Sequence, residues 1–347
     1  MGFLTGNPSN TWQPTMTANT TDPSYWLNWR FFLCALFLLI SMIFASILIW
    51  KYETFHKRKP ERRENDRETV EPFHEDEAWK ICLKGIHPAW LLAYRIICLI
   101  VLFSLITANV IEDGGGIFYF YTQWTFALVT IYFALASTLS IYGCCKYGNR
   151  DSQDAIDHFG LDTERGTYVA PTFEGSTDTS NMRKNLDAYE EHQNQETAGV
   201  WGYALQIIFQ MCAGAVMLTD SVFWTIIYPF LTAKDYELNF MIASMHSINA
   251  VFLLGDTLLN CLRFPLFRIA YFVLWTGVFV IFQWIIHVCV NMWWPYPFLD
   301  LSSQYAPLWY LGVGLMHIPC YGIFALIVRI KHMVLSTTFP DSYQSMR

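Results

Sequence analysis

Seven long apolar runs decide what this chain can become. A helix that crosses a bilayer needs about 20 mostly apolar residues. Runs of that kind lie at Phe31–Trp50, Ala89–Val110, Phe118–Gly143, Trp201–Phe230, Phe240–Leu262, Ala270–Asn291 and Ala306–Ile330. The predicted fold class is therefore all-α, a polytopic bundle of about seven transmembrane helices. The composition fits: 54% of the 347 residues are hydrophobic and only 15% are charged, against roughly a quarter charged in soluble domains. A net charge of −7 argues against a nucleic-acid-binding protein. The first 30 residues are polar and the first run is too long for a signal-peptide core, so no cleavable leader is expected. Gly6 stands where a myristoylation signal needs Ser or Thr. The fourth run is unusually long and carries Asp220 in its middle, so it reads as one tilted helix or a broken one.

Lysine and arginine near the span ends set an orientation. Lys57, Arg58, Lys59, Arg62 and Arg63 follow the first run, Lys146 and Arg150 the third, Arg263 and Arg268 the fifth, and Arg329 and Lys331 the seventh. The opposite connections, 112–116, 232–239 and 292–305, hold one lysine among them. The N-terminus is expected outside and the C-terminus in the cytosol. The chain then divides into an outer tail (1–30), an extra first helix (31–50) and a charged cytosolic loop (51–87). Helices two and three (88–143), an acidic cytosolic loop (144–200), helices four to seven (201–330) and a cytosolic tail (331–347) follow. Asn19-Thr20-Thr21 is a glycosylation sequon on the outer tail. All nine cysteines fall in spans or on the cytosolic side, so no structural disulfide is expected. Cys144-Cys145, at a cytosolic span end, reads as a palmitoylation site or as a plain buried thiol pair.

Residues 51–87 read as flexible or partly helical, and Gly160–Ser180 as a disordered link. The acidic loop holds five Lys or Arg against eleven Asp or Glu. It is either a solvated face or a surface for a protein partner.

Polar groups inside a membrane are costly and are functional candidates by default. His246, Asn249, Asp256 and Asn260 fall on one face of the fifth span, within an arc of roughly 80°. Interhelical hydrogen bonding is the ordinary role for such asparagines. Thr122 lies about 6 Å below the outer end of the third run, and His246 about 9 Å below that of the fifth. The two share a depth near the outer leaflet. A neutral imidazole can take the proton of a threonine hydroxyl and make it a nucleophile; otherwise such a threonine bonds back to its own helix. Asp256 is about 15 Å along the helix from His246 and too far to orient it, leaving Glu112, Asp113 or a backbone carbonyl as candidates. Gln283, His287 and Asn291 form a stripe towards the outer end of the sixth span that could line the same cavity, while His317 reads as a packing histidine.

No Gly-x-Ser-x-Gly elbow, His-Glu-x-x-His, di-iron histidine box, P-loop or Gly-x-Gly-x-x-Gly occurs, so no cofactor and no metal is expected. There is no Asp-Arg-Tyr or Asn-Pro-x-x-Tyr motif of a G-protein-coupled receptor.

Four segments carry a family resemblance. They are Phe120-Tyr-Thr122-Gln-Trp-Thr-Phe-Ala-Leu-Val-Thr-Ile-Tyr-Phe133, Val222-Phe-Trp-Thr-Ile-Ile-Tyr228, Met245-His246-Ser247 and Trp294-Pro-Tyr-Pro-Phe-Leu-Asp300. In order and spacing they resemble the androgen-induced (FAR-17a-like) membrane protein family, over roughly residues 116–310. The chain is also similar to the rolling-stone proteins linked to cell fusion. Members of the androgen-induced family are multi-pass threonine hydrolases of fatty-acid esters of hydroxy fatty acids. The resemblance implies Thr122 as catalytic nucleophile and His246 as catalytic base, acting on an acyl-ester substrate among membrane lipids. The spans and orientation are expected to put the protein in a secretory-pathway membrane, the endoplasmic reticulum or the plasma membrane. An extra first span, a longer acidic loop, Ala243 where relatives carry a second histidine, and Val328-Arg329-Ile330 at the end of the last span depart from the family pattern. For the oxyanion, Tyr121, Gln123 and Trp124 are near in sequence, with Gln123 about 100° round the helix from Thr122. The competing classes are a non-enzymatic scaffold or fusion protein, and a transporter with a polar path reaching both faces.

Overall fold

A computed structural model describes residues 16–54, 74–164, 198–231 and 238–343. Among the described residues the chain is helical and has no strand, and seven helices are long and apolar enough to cross a membrane. The protein is an integral, multi-pass membrane protein. The spans are Trp29–Glu53, Ala89–Asp113, Tyr121–Asn149, Val200–Phe230, Phe240–Leu259, Leu266–Cys289 and Ala306–Thr338. Much of the acidic loop lies outside the described residues, as do 55–73. The helix of the third span runs on to Glu164, so the first residues assigned to a disordered link at Gly160 are helical.

Local chemistry sets the span ends. Asn28 caps the first span by accepting from the Phe31 amide at 3.0 Å, and Asn239 caps the fifth by accepting from Ile242. Gly114, at φ 74°, stops the second span in the left-handed region that glycine enters without strain. The chain then makes a short 3-10 turn at Gly115–Tyr119, so the third helix begins at Tyr121 rather than Phe118, and Thr122 sits in its first turn.

The fourth span is the axis of the bundle. Of its most apolar stretch 61% is buried, against 11% for the first span, which faces lipid with Leu36, Ile40, Ile43 and Phe44. The fourth packs on the third, sixth and seventh, the second on the third, and the first on the sixth. At Gly214 a side chain would run into the Phe272 ring, so the absent Cβ lets the fourth and sixth spans approach.

Two polar caps close the bundle. On the face bearing the N-terminal tail, Tyr25 donates to Asp300 at 2.7 Å and accepts from Trp294 Nε1 and the Leu301 amide. Thr17 also donates to Asp300, and the Thr20 amide donates to Asn291. Burial and the neighbouring Asp300 push the Tyr25 phenol far above its usual value, so it remains a donor at neutral pH. Tyr25→Phe leaves Trp294 Nε1 and the Leu301 amide without their acceptor and is expected to cost about 1–3 kcal/mol, read as a lower melting temperature with faster proteolysis of the tail.

The other face carries a denser network. Arg95, fully buried, donates to Asp256 Oδ1 at 2.7 Å, Ala78 O at 2.8 Å and Ser140 Oγ at 2.7 Å. Tyr132 and Asn260 also donate to Asp256. Lys331 reaches the carbonyls of Thr257 and Asn260. Asn260 thus plays the hydrogen-bonding role expected of it. The end of the charged loop is packed rather than flexible: Trp79 and Glu77 are buried, and Arg263 pairs with Glu77 through two nitrogens.

The expectation of no structural disulfide is corrected. Cys82 and Cys261 are disulfide-bonded across a Cα–Cα distance of 5.0 Å. The loop before the second span folds back under the fifth, where Ile81 pairs with Asn260, and this brings together two thiols 179 residues apart. Compartment reasoning from cysteine placement had no access to that return. Alkylation of non-reduced protein followed by peptide mapping is expected to recover Cys82 linked to Cys261, with Cys145 and Cys289, both exposed, alkylated.

Candidate intramembrane site

Two irregular stretches of helix face each other near the tail face. The fourth span is α-helical to Val222, then widens into a π-helical segment at Phe223–Leu231 that contains Pro229. The long fourth run is therefore one span with an altered outer end. The fifth span is interrupted: its first helix stops at Met245 and the second starts at Ile248. The face expected to align His246 with Asp256 on one continuous helix is broken at His246 itself. Non-helical backbone at membrane depth persists only where protein or water satisfies it, and π-segments are frequent at functional sites. Here Trp224 Nε1 donates to the His246 carbonyl at 2.8 Å.

Three helices meet in register at this point. Thr125 and Thr219 share a hydrogen bond at 3.2 Å, which fixes the third span against the fourth. One turn nearer the tail face stand Thr122 on the third span and Phe223 on the fourth. The Phe223 ring lies flat on the His246 imidazole, with centroids 3.5 Å apart and planes 3° from parallel. One turn back, the Asp220 carboxyl lies beside Asn249. Phe223–His246 and Asp220–Asn249 are thus two rungs between antiparallel helices.

The hydrogen bonding here is incomplete. His246 Nδ1 is buried without a partner, and the Asp220 carboxyl and Asn249 Nδ2 have only each other, in a contact too long for a well-formed hydrogen bond. Asn249 thus meets Asp220 of the neighbouring helix, a looser form of the interhelical role that Asn260 plays. Asp220 meets the histidine's span at Asn249, whereas Glu112 is exposed and Asp113 half-buried at the end of the second span.

Thr122 is buried, and its hydroxyl and amide meet the Tyr296 hydroxyl at 3.5 and 3.4 Å. No hydrogen bond joins Thr122 to His246. The two are set at one level by separate contacts, Thr122 by Tyr296 and His246 by Phe223. Tyr296 is fully packed, stacked on Phe298 at 5.1 Å. Burial raises its phenol above the usual range, so it stays protonated and can donate. Of the nearby groups, Tyr121 is engaged with Thr276 at 2.9 Å and Trp124 Nε1 with the Phe118 carbonyl at 2.9 Å. Gln123 Oε1 is buried without a partner.

The stripe on the sixth span is structural. Gln283 donates to the Tyr119 carbonyl, His287 bonds Gln283 O and stacks on Trp294 at 3.7 Å, and Asn291 holds the tail at Thr20. His317 is fully engaged, with Val313 O and Thr276 Oγ1 each at 2.9 Å. Among the described residues no group of three or more His, Cys, Asp or Glu is placed to hold a metal ion.

Sequence reasoning missed two residues of this site. Tyr296 lies within the Trp294–Asp300 segment, but its approach to Thr122 spans 174 residues. Asp220 was visible as a carboxylate in mid-span, the strongest signal of its kind, yet nothing in the sequence tied it to the fifth helix. No family model, no curated protein and no solved structure matches this chain.

Proposed function

We propose that this membrane protein is a lipid-ester hydrolase with Thr122 as nucleophile and His246 as base. The observation that carries the reading is the placement of a buried threonine hydroxyl, a protonated tyrosine donor and an imidazole with an unpartnered nitrogen at one level of one bundle. His246 takes the Thr122 proton as Oγ1 attacks the ester carbonyl. The hydroxyl of Tyr296, at 3.5 Å from Oγ1, is placed to donate to the oxyanion. His246 then returns its proton to the leaving alcohol, and water cleaves the acyl-threonine. Catalytic hydrogen bonds often close only when substrate is bound, and here that closure joins Thr122 to His246.

The positive-inside bias puts this site at the outer leaflet, where acyl chains enter sideways. Fatty-acid esters of hydroxy fatty acids, or similar esters, are the substrate class. The locked Arg95–Asp256 network beneath the opposite face favours a one-sided site over a transport path. Labelling of the purified full-length protein with a fluorophosphonate tests the reading. The wild type is expected to label and Thr122→Ala not to. A folded wild type that takes no label overturns it.

A further inference from the structure

The Asp220–Asn249–His246 cluster is a costly arrangement whose polar atoms the bundle satisfies only in part. Unsatisfied polar groups at membrane depth each cost several kcal/mol, and intramembrane ionisable groups of this kind mark ligand or ion sites. The contrast within the same molecule is direct. Asp256 receives hydrogen bonds from Arg95, Tyr132 and Asn260, whereas Asp220 has only a long contact with Asn249. The cluster also stands where two spans depart from regular helix.

We infer that this cluster binds the hydroxyl group of a membrane lipid alcohol. The chemistry of the free atoms selects that class. Asp220 offers acceptors, Asn249 Nδ2 offers donors, and His246 Nδ1 serves as either according to tautomer. A hydroxyl donates and accepts at once and so meets both sides. An ammonium headgroup has no acceptor for Asn249, and a carboxylate or a phosphate finds no lysine or arginine in the cluster to balance its charge. Asp220 and His246 are half-buried residues whose carboxyl oxygens and Nδ1 are enclosed, and Trp224, which donates to the His246 carbonyl, is exposed. A lipid therefore reaches the cluster from the bilayer with its tails still in the apolar phase. Diacylglycerol and sterol both present this group.

The inference does not rest on hydrolysis, and its test runs in the Thr122→Ala protein so that turnover plays no part. Full-length protein in nanodiscs is photolysed with diazirine-bearing diacylglycerol, sterol or phosphatidylcholine, and the labelled peptides are mapped. At least one hydroxyl-bearing probe is expected to label the 217–228 and 243–252 peptides. Excess unlabelled diacylglycerol or sterol is expected to compete this labelling away. Phosphatidylcholine labelling should show no such competition. Asp220→Leu and Asn249→Leu are each expected to lower the competed labelling about tenfold, matching the loss of one charged or neutral hydrogen bond. Asp220→Leu should melt close to its parent, because the carboxyl's contact with Asn249 is long and little is lost with it. Equal labelling by phosphatidylcholine, unchanged competition in both variants, or a melting loss in Asp220→Leu as large as that in Asp256→Leu overturns the inference. Which hydroxyl probe competes tells diacylglycerol from sterol.

Discussion

Asp256→Ala is expected to unfold the purified protein at temperatures where the wild type is intact, with a stability loss of about 3–5 kcal/mol. The carboxylate is fully enclosed with Arg95, both side chains at 0% exposure. Its removal leaves a guanidinium in the bundle with neutral partners such as Ser140, Ala78 O and Ala136 O in place of a carboxylate. Tyr132 and Asn260 lose their acceptor in the same step. The penalty is mainly that of a buried charge without its partner, so the pair must be tested as a cycle. Arg95→Leu is expected to cost a similar amount. The double variant Arg95→Leu with Asp256→Leu should be far less damaged than the sum of the singles, because replacing both partners by apolar groups removes the desolvation cost as well. Thermal melting of the four proteins in one detergent checks this. Additive losses would mean that the two side chains do not act as a pair.

Thr122→Ala and His246→Ala are expected to lower ester turnover by roughly a thousandfold or more, with melting temperatures close to wild type. The nucleophile has no substitute, and loss of the base leaves the hydroxyl protonated. Thr122→Ala changes stability little, and His246→Ala gives up its stack on Phe223, a loss of about 0.5–1.5 kcal/mol that lowers melting only slightly in a chain of this size. The Thr122 hydroxyl makes one long contact with Tyr296, and His246 Nδ1 makes none. Tyr296→Phe is a milder case: it keeps the packing on Phe298 and removes one oxyanion donor, for a loss of roughly a hundredfold in turnover. A Thr122→Ala protein with wild-type turnover would remove the threonine from the chemistry.

These two sets of groups differ in how far the sequence exposed them. The spans were legible because length and hydropathy alone decide them, and all seven appear with boundaries shifted by a few residues at most ends. The seventh departs most, running on to Thr338 because the residues after Ile330 continue the helix. The interruption at His246–Ser247 was not legible: neither residue is Gly or Pro, and the break is held from outside, by Trp224 donating to the freed carbonyl. The Cys82–Cys261 bond was hidden for a related reason, since it depends on a loop folding back beneath a different span. Thr122 and His246 could be set at one depth by counting residues from span ends. Their surroundings could not, because Tyr296, Phe223 and Asp220 arrive through tertiary packing. The same polar face of the fifth span serves two ends. Asp256 and Asn260 are absorbed into a satisfied network, and His246 and Asn249 are left open.

Hydrolysis of a panel of long-chain lipid esters by purified full-length protein tests the central claim most directly, with wild type, Thr122→Ala and His246→Ala assayed beside their melting curves. The account predicts turnover by the wild type, its loss in both variants, and three similar melting temperatures. Turnover that survives intact in either variant, or none from a folded wild type, would contradict it.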